Sequence, residues 1–323
     1  YNVSIIDNIT GDFIFNHAKE SGGAICNVSN PHKSTINNIT GDFIFNSAGN
    51  AGGAINNYEG STINNITGNF IGNWANNYGG AIANAKNSNI TNITGEFIFN
   101  SANNNGGAIY NDNSSITNIV SIFTSNFANN DGGAIYNRST IGNLTSDFIE
   151  NQAKNGGAIA NYGIIDNITG DFIGNYATDK GGAIANYNGS NIKNITGSFT
   201  GNHAANNGGA IYNERDLIIF TQDKNIQFSG NYVNNNDNST GGAIYNTGTL
   251  GLHADKGRSI TFVGGEEAGK KDIDGIYNTG TLNINDNKED TLSGTVDFYK
   301  VNGNGTINIY GGNVTTKGDI VQR

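Results

Sequence analysis

Carboxylates, four imidazoles and one thiol are the groups in this chain able to do chemistry. Acidic residues stand immediately before a recurring phenylalanine, as Asp12, Asp42, Glu96, Asp147 and Asp171, with Asn69, Ile122, Ser198 and Gln227 interrupting the series. If these positions stack at strand spacing, about 5 Å, neighbouring carboxylates repel unless a cation lies between them. Asp12/Asp42 and Asp147/Asp171 are therefore candidate weak Ca²⁺ sites. The competing reading is a solvated acidic stripe that discourages lateral aggregation. Asp272-Ile-Asp274 is one more close pair able to hold a cation. No further metal-ligand spacing and no cofactor-binding motif occurs.

The histidines are His17, His32, His203 and His253, and the arginines Arg138, Arg215 and Arg258 are scattered. His17 and His203 occupy equivalent repeat positions but lie seven repeats apart, too far to cooperate. No serine or cysteine nucleophile acquires a base by repeat logic, and Cys26 has no partner for a disulfide. An enzyme, such as a polysaccharide lyase or hydrolase, is thus a distant alternative. The formal net charge of −10 with only 14% charged residues argues against a nucleic-acid-binding stripe. No run of eighteen apolar residues and no signal-peptide pattern occurs, so this segment is not expected to insert directly into a membrane.

The elements that position these groups follow from two alternating motifs. Gly-Gly-Ala-Ile-x-Asn begins at Gly22, Gly52, Gly79, Gly106, Gly132, Gly156, Gly181, Gly208 and Gly241, and Phe-x-x-Asn begins at Phe13, Phe43, Phe70, Phe97, Phe123, Phe148, Phe172, Phe199 and Phe228. Spacing is nearly fixed within a repeat and slack between repeats, as in stacked structural turns. One unit, 61–84, holds three short apolar runs, at 63–67, 70–75 and 81–83, each too short for a helix and punctuated by Gly or Asn. This predicts an all-β, single-stranded parallel β-helix of about 25 residues and three short strands per turn, right-handed as parallel crossovers are.

On such a coil the Phe column, the Ile column of Gly-Gly-Ala-Ile and a further column from Ile36 to Ile192 are expected inside. The Asn after each Phe strand is expected to take a left-handed corner conformation and to bond to the next turn's amide. The Ala column from Ala18 to Ala204 is expected to let a corner pack closely, and the paired Gly to allow positive φ or close backbone approach. Residues 1–246 form the regular turns; 247–323 read as irregular turns of the same coil, where Asn246-Thr-Gly-Thr-Leu250 recurs as Asn278-Thr-Gly-Thr-Leu282. Tyr1-Asn2 aligns with Tyr110-Asn111, so the chain is expected to start inside a repeat of a longer parent.

Nine alternating copies of Phe-x-x-Asn and Gly-Gly-Ala-Ile, between Phe13 and Asn246, resemble the repeats of chlamydial polymorphic membrane proteins and related type V autotransporter passengers. The resemblance implies a surface-exposed or secreted β-helical adhesin, anchored in or exported through an outer-membrane barrel. No such barrel occurs among these residues, so export is implied by the resemblance alone. The family supplies no catalytic residues to carry over.

A partner must then be met by positions that the motifs leave free. After Phe-x-x-Asn come His17, Trp74, Phe127, Tyr176, His203 and Tyr232; after Gly-Gly-Ala-Ile come Tyr110, Tyr136, Tyr212 and Tyr245. Outward aromatics suit sugar rings or a protein, and otherwise they cover loops between turns. Sequons at Asn8, Asn38, Asn65, Asn143, Asn167 and Asn194 read as the first strand of each unit, with Ile inward. Thr40, Thr67, Thr94, Thr145, Thr169 and Thr196 form an outward column, broken at Val120 and too narrow for an ice-binding face. The expected function is attachment to a host-cell protein or glycan through the exposed face. A structural spacer or self-associating surface protein is the alternative.

Overall fold

The computed structural model describes residues 4–29, 33–234, 240–286, 294–318 and 320–322. Tyr1, Asn2 and His32 lie outside the described residues. The chain winds into a parallel β-solenoid of about 11 turns and roughly 27 residues per turn, with no helix among the described residues. A representative turn runs Thr62–Thr67, Phe70–Ile71, Trp74–Ala75 and Ile82–Ala85. The run expected over 70–75 is thus two short strands, which join different sheets on either side of a corner at Gly72 (φ +63°).

Register is kept along the core columns, with local shifts between Asp112 and Ser115, Ala153 and Asn155, and Ile192 and Ile195. Ile63 pairs with Ile90, Phe70 with Phe97, Ala75 with Ala102 and Ile82 with Ile109. Each turn therefore places the same side chain on the same face as the turn before. Phe43 to Phe228 are fully buried, and successive rings stack with centroids 4.6–5.0 Å apart. Three aliphatic columns fill the remaining interior: the Ile of Gly-Gly-Ala-Ile, the column from Ile36 to Ile192, and the central Ile of Asn-Ile-Thr, as in Ile39, Ile66 and Ile93. Each such side chain stabilises the coil by roughly 1.5–3 kcal/mol. The Ala column is buried from Ala48 to Ala204, beneath a sheet of its own.

The two glycines of the motif have different reasons. Gly79 takes φ +62°. At Gly80 a Cβ would lie 2.1 Å from the Gly107 carbonyl oxygen, so only glycine lets successive turns close there.

The asparagine expectation is half corrected. The residue before the Asn is left-handed, not the Asn: Phe15, Phe45, Phe99, Ser125 and Glu150 have φ of +53° to +56°, and Gly72, Gly174, Gly201 and Gly230 hold the same place elsewhere. The corner falls one residue earlier because the Asn is fixed by its ladder. Asn46 Nδ2 donates to Asn73 Oδ1 at 3.0 Å, and the Asn46 backbone N–H shares that acceptor at 2.9 Å. The pattern repeats turn by turn to Asn231. A second buried ladder runs from Asn27 to Asn278, through the last residue of each Gly-Gly-Ala-Ile-x-Asn.

Beyond Asn246 the columns continue. Ile276 pairs with Ile244, Val301 with Ile276, Leu282 with Leu250 and Ile307 with Leu282, while Phe262 and Phe298 extend the ring stack.

Candidate contact surfaces

The acidic column is built into the ladder. Asp12 Oδ1 accepts the Asp42 backbone N–H at 3.0 Å, and Asp42 Oδ1 that of Asn69 at 2.8 Å. Asp147 Oδ1 accepts from Asp171, and Asp171 Oδ1 from Ser198. Lys224 Nζ also lies 3.0 Å from Asp171. One oxygen of each of these four aspartates is therefore already used as a rung. Among the described residues no group of three or more His, Cys, Asp or Glu is placed to hold a metal ion.

Asp272 and Asp274 do different work. Asp272 Oδ2 accepts the Gly241 N–H, and Lys300 lies 3.5 Å from its other oxygen. Asp274 is completely buried and ends the first Asn ladder. Its Oδ1 accepts the backbone and side-chain N–H of Asn231, both at 2.9 Å, and its Oδ2 accepts Gly230 N–H at 2.7 Å and Gly264 N–H at 3.2 Å. Burial pushes its carboxyl pKa up, and these hydrogen bonds oppose that shift.

The tyrosines after Gly-Gly-Ala-Ile belong to a longer structure than the sequence suggested. Tyr78, Tyr110, Tyr136, Tyr162, Tyr187, Tyr212, Tyr245 and Tyr277 form one ladder, with centroids 4.4–5.9 Å apart. Two of the expected contact residues, Tyr136 and Tyr212, are only 7% and 6% exposed, because the neighbouring rungs cover their ring faces. Tyr78, Tyr162, Tyr187 and Tyr277 were missed. Where the motif carries Ala160 or Ala185, a tyrosine two residues later supplies the ring, and this compensation was the available signal. Hydroxyls donate to Asp112 from Tyr110 (3.1 Å), to Asp131 from Tyr162 (3.0 Å) and to Glu214 from Tyr212 (2.6 Å). Burial raises the pKa of Tyr110, Tyr136, Tyr162, Tyr187, Tyr212 and Tyr245.

The aromatics after Phe-x-x-Asn are more open. Trp74 and Phe127 are exposed. Tyr176, His203 and Tyr232 stack at 4.7 and 4.3 Å, with Lys270 over Tyr232. His17 and His203 do lie in one column, each bonded to its own neighbour, Ser47 or Asn234. The threonine column faces outward except at Thr196, which is buried and donates to the Phe220 carbonyl. The sequon asparagines form a third ladder, as in Asn65 Nδ2 to Asn38 Oδ1.

Three strongly exposed phenylalanines had not been singled out. Phe15, Phe45 and Phe99 are 74%, 52% and 64% exposed, and Phe15 stacks on Phe45 at 5.4 Å. Each is the second Phe of a Phe-Ile-Phe-Asn segment, at the left-handed corner.

Residues 120–138 and 196–214 match the Chlamydia polymorphic membrane protein (Chlamydia_PMP) repeat. Each match spans one Phe-x-x-Asn and one Gly-Gly-Ala-Ile-Tyr-Asn, from Phe123 to Asn137 and from Phe199 to Asn213. The chain thus carries that repeat at two sites. No curated protein and no solved structure gave a significant match.

Proposed function

We propose that this chain is the rigid passenger segment of a bacterial surface protein, outer-membrane-anchored or secreted, and that it attaches to a host-cell protein or glycan through its exposed face. The matched repeat and the solenoid fold support a surface passenger. One observation supports attachment over pure spacing: the exposed Phe15, Phe45 and Phe99 sit in left-handed backbone. That conformation costs a bulky residue on the order of 1–3 kcal/mol. Four other turns use glycine at the same corner, so the fold does not ask for phenylalanine there. Exposed apolar rings held at a backbone cost are expected where binding repays them. The unbroken core and ladders would equally serve a spacer, which would have no use for these rings.

The test replaces all three with the residue found at Gly72. Relief of strain offsets the added freedom of glycine in the unfolded chain, roughly 0.5–1 kcal/mol per site, and the lost Phe15–Phe45 stack, so the thermal transition stays close to wild type. Attachment of the protein to host cells or matrix should fall at least tenfold. Full attachment by a folded Phe15→Gly/Phe45→Gly/Phe99→Gly protein would sink the proposal and favour the spacer.

A further inference from the structure

The tyrosine ladder stops at Tyr78, and the turn before it explains why. Ala51 bridges to Tyr78, and Asn56 pairs with Ala83. Neither carries a ring, and Tyr58, the one aromatic of that turn, pairs with Ala85 and lies under Lys86 rather than stacking on Tyr78, so the face of Tyr78 that points away from Tyr110 has no next rung. Ala83 itself is followed two residues later by Ala85, whereas Ala160 and Ala185 are followed by Tyr162 and Tyr187. In the Ala83 turn Tyr78 supplies the ring instead, and in the turn before it Tyr58, two residues after Asn56, holds the compensating position but is taken by Lys86. A groove of 330 Å³ opens at this point, and Ala51, Ala83, Ala85, Tyr58, Tyr78 and Tyr110 are among the residues that line it. Its size lies at the low end for small-ligand clefts, about 300–1,000 Å³.

The polar lining decides what chemistry fits. Asn50 and Asn56 contribute amides, Lys86 an ammonium and Asp112 a carboxylate. Both charges are already balanced: Lys86 pairs with Glu59 at 3.6 Å and lies over the Tyr58 ring, and Asp112 pairs with Arg138 at 2.9 Å. The groove therefore offers aromatic faces and hydrogen-bonding groups of both senses, without a net charge to attract an acidic or basic ligand. A pyranose ring has the matching character, with an apolar C–H face and a rim of hydroxyls.

We propose that this groove is a subsite for one hexopyranose unit of an uncharged glycan, neutral or N-acetylated, whose C–H face takes the next rung below Tyr78. The proposal rests on the reading that this coil is a contact surface, and it names a ligand class at a place separate from the Phe15, Phe45 and Phe99 ridge.

The whole chain would be applied to an immobilised panel of neutral, N-acetylated, sialylated and sulfated oligosaccharides, with the strongest neutral binder then titrated by NMR. Ala51→Tyr is the decisive variant, because it continues the ladder in register with Tyr78 and fills the groove without opening the core. Binding of uncharged oligosaccharides by wild type, reduced at least tenfold in Ala51→Tyr at an unchanged thermal transition, is the expected result. Tyr78→Ala should weaken binding in the same sense. The Phe15→Gly/Phe45→Gly/Phe99→Gly protein should bind as wild type does, which separates this site from the ridge. Recognition of acidic glycans alone, capture of tyrosine- or tryptophan-bearing peptides but no glycan, absence of any binding, or full binding by Ala51→Tyr would each overturn the proposal.

Discussion

Asp274→Asn should destabilise the C-terminal turns although it changes one atom. Every rung of the first ladder donates its Nδ2 toward the following turn, so the last rung needs an acceptor that gives nothing back. Asp274 supplies two carboxylate oxygens to four N–H groups, two on each oxygen. An asparagine retains the left-handed backbone of this residue (φ +50°), since Asn tolerates that region. It has only one acceptor oxygen, however. In one amide orientation the N–H groups of Gly230 and Gly264 face an NH₂; in the other, both Asn231 donors do. The first orientation keeps both buried Asn231 bonds and strips only the partly exposed N–H groups of Gly230 and Gly264, for a gross loss of about 1–3 kcal/mol. Removing a buried charge returns part of this, leaving a net loss of about 1 kcal/mol. Because stacked turns unfold locally, amide hydrogen exchange at Gly230, Asn231 and Gly264 is the sharper assay, with urea unfolding beside it. Exchange at these amides as slow as in wild type would show that Asp274 does not terminate the ladder by acceptance.

Two further outcomes follow from the core and from the tyrosines. Phe97→Ala should cost about 3–5 kcal/mol by removing a fully buried ring from the stack, read as a lowered transition and faster exchange in the turns of Phe70 and Phe123; an unchanged transition would contradict an inward Phe column. Alkaline pH should unfold the coil: burial raises the pKa of six ladder tyrosines, so above pH ~10 the unfolded chain loses protons that the folded chain keeps, and stability, intact below that pH, falls as pH rises. Phenolate absorbance should then rise together with loss of the β-sheet circular dichroism signal; titration of these tyrosines near pH 10 with the coil intact would refute the assignment.

Columns with a constant place in the repeat were legible in the sequence. Phe97, Ile109, Asn100 and Gly80 each recur at one position, and stacking turns recurrence into a column directly. The tyrosine ladder was only partly legible, because three different positions (Tyr78, Tyr110 and Tyr162) send rings into one track, and a long side chain can reach across the strand spacing that a motif assumes. The left-handed corner was misplaced by one residue. Asn is the usual choice for that conformation, but here the Asn is constrained by a ladder that runs through both its side chain and its backbone N–H. Asp274 read as half of a cation site because its burial, and the four donors around it, come from turns 10 to 44 residues away in sequence.

That misplaced corner also separates what holds the coil from what is available to a partner. A residue that the ladder fixes cannot vary: Asn73 replaced would orphan both Asn46 donors, and Asn100 replaced both Asn73 donors. The residue just before it carries the backbone cost of the corner but makes no ladder bond through its side chain, so glycine is its cheapest occupant, and Gly72, Gly174, Gly201 and Gly230 show this. Ser125 and Glu150 carry the same cost with polar groups that water solvates. Phe15, Phe45 and Phe99 add exposed apolar surface to it, and folding recovers little of either. The stacking of Phe15 on Phe45 recovers roughly 0.5–1.5 kcal/mol, no more than the strain of one such corner. On the proposed reading a partner supplies the balance, and the search for it belongs on the corner nearest the Phe core rather than on the motifs themselves.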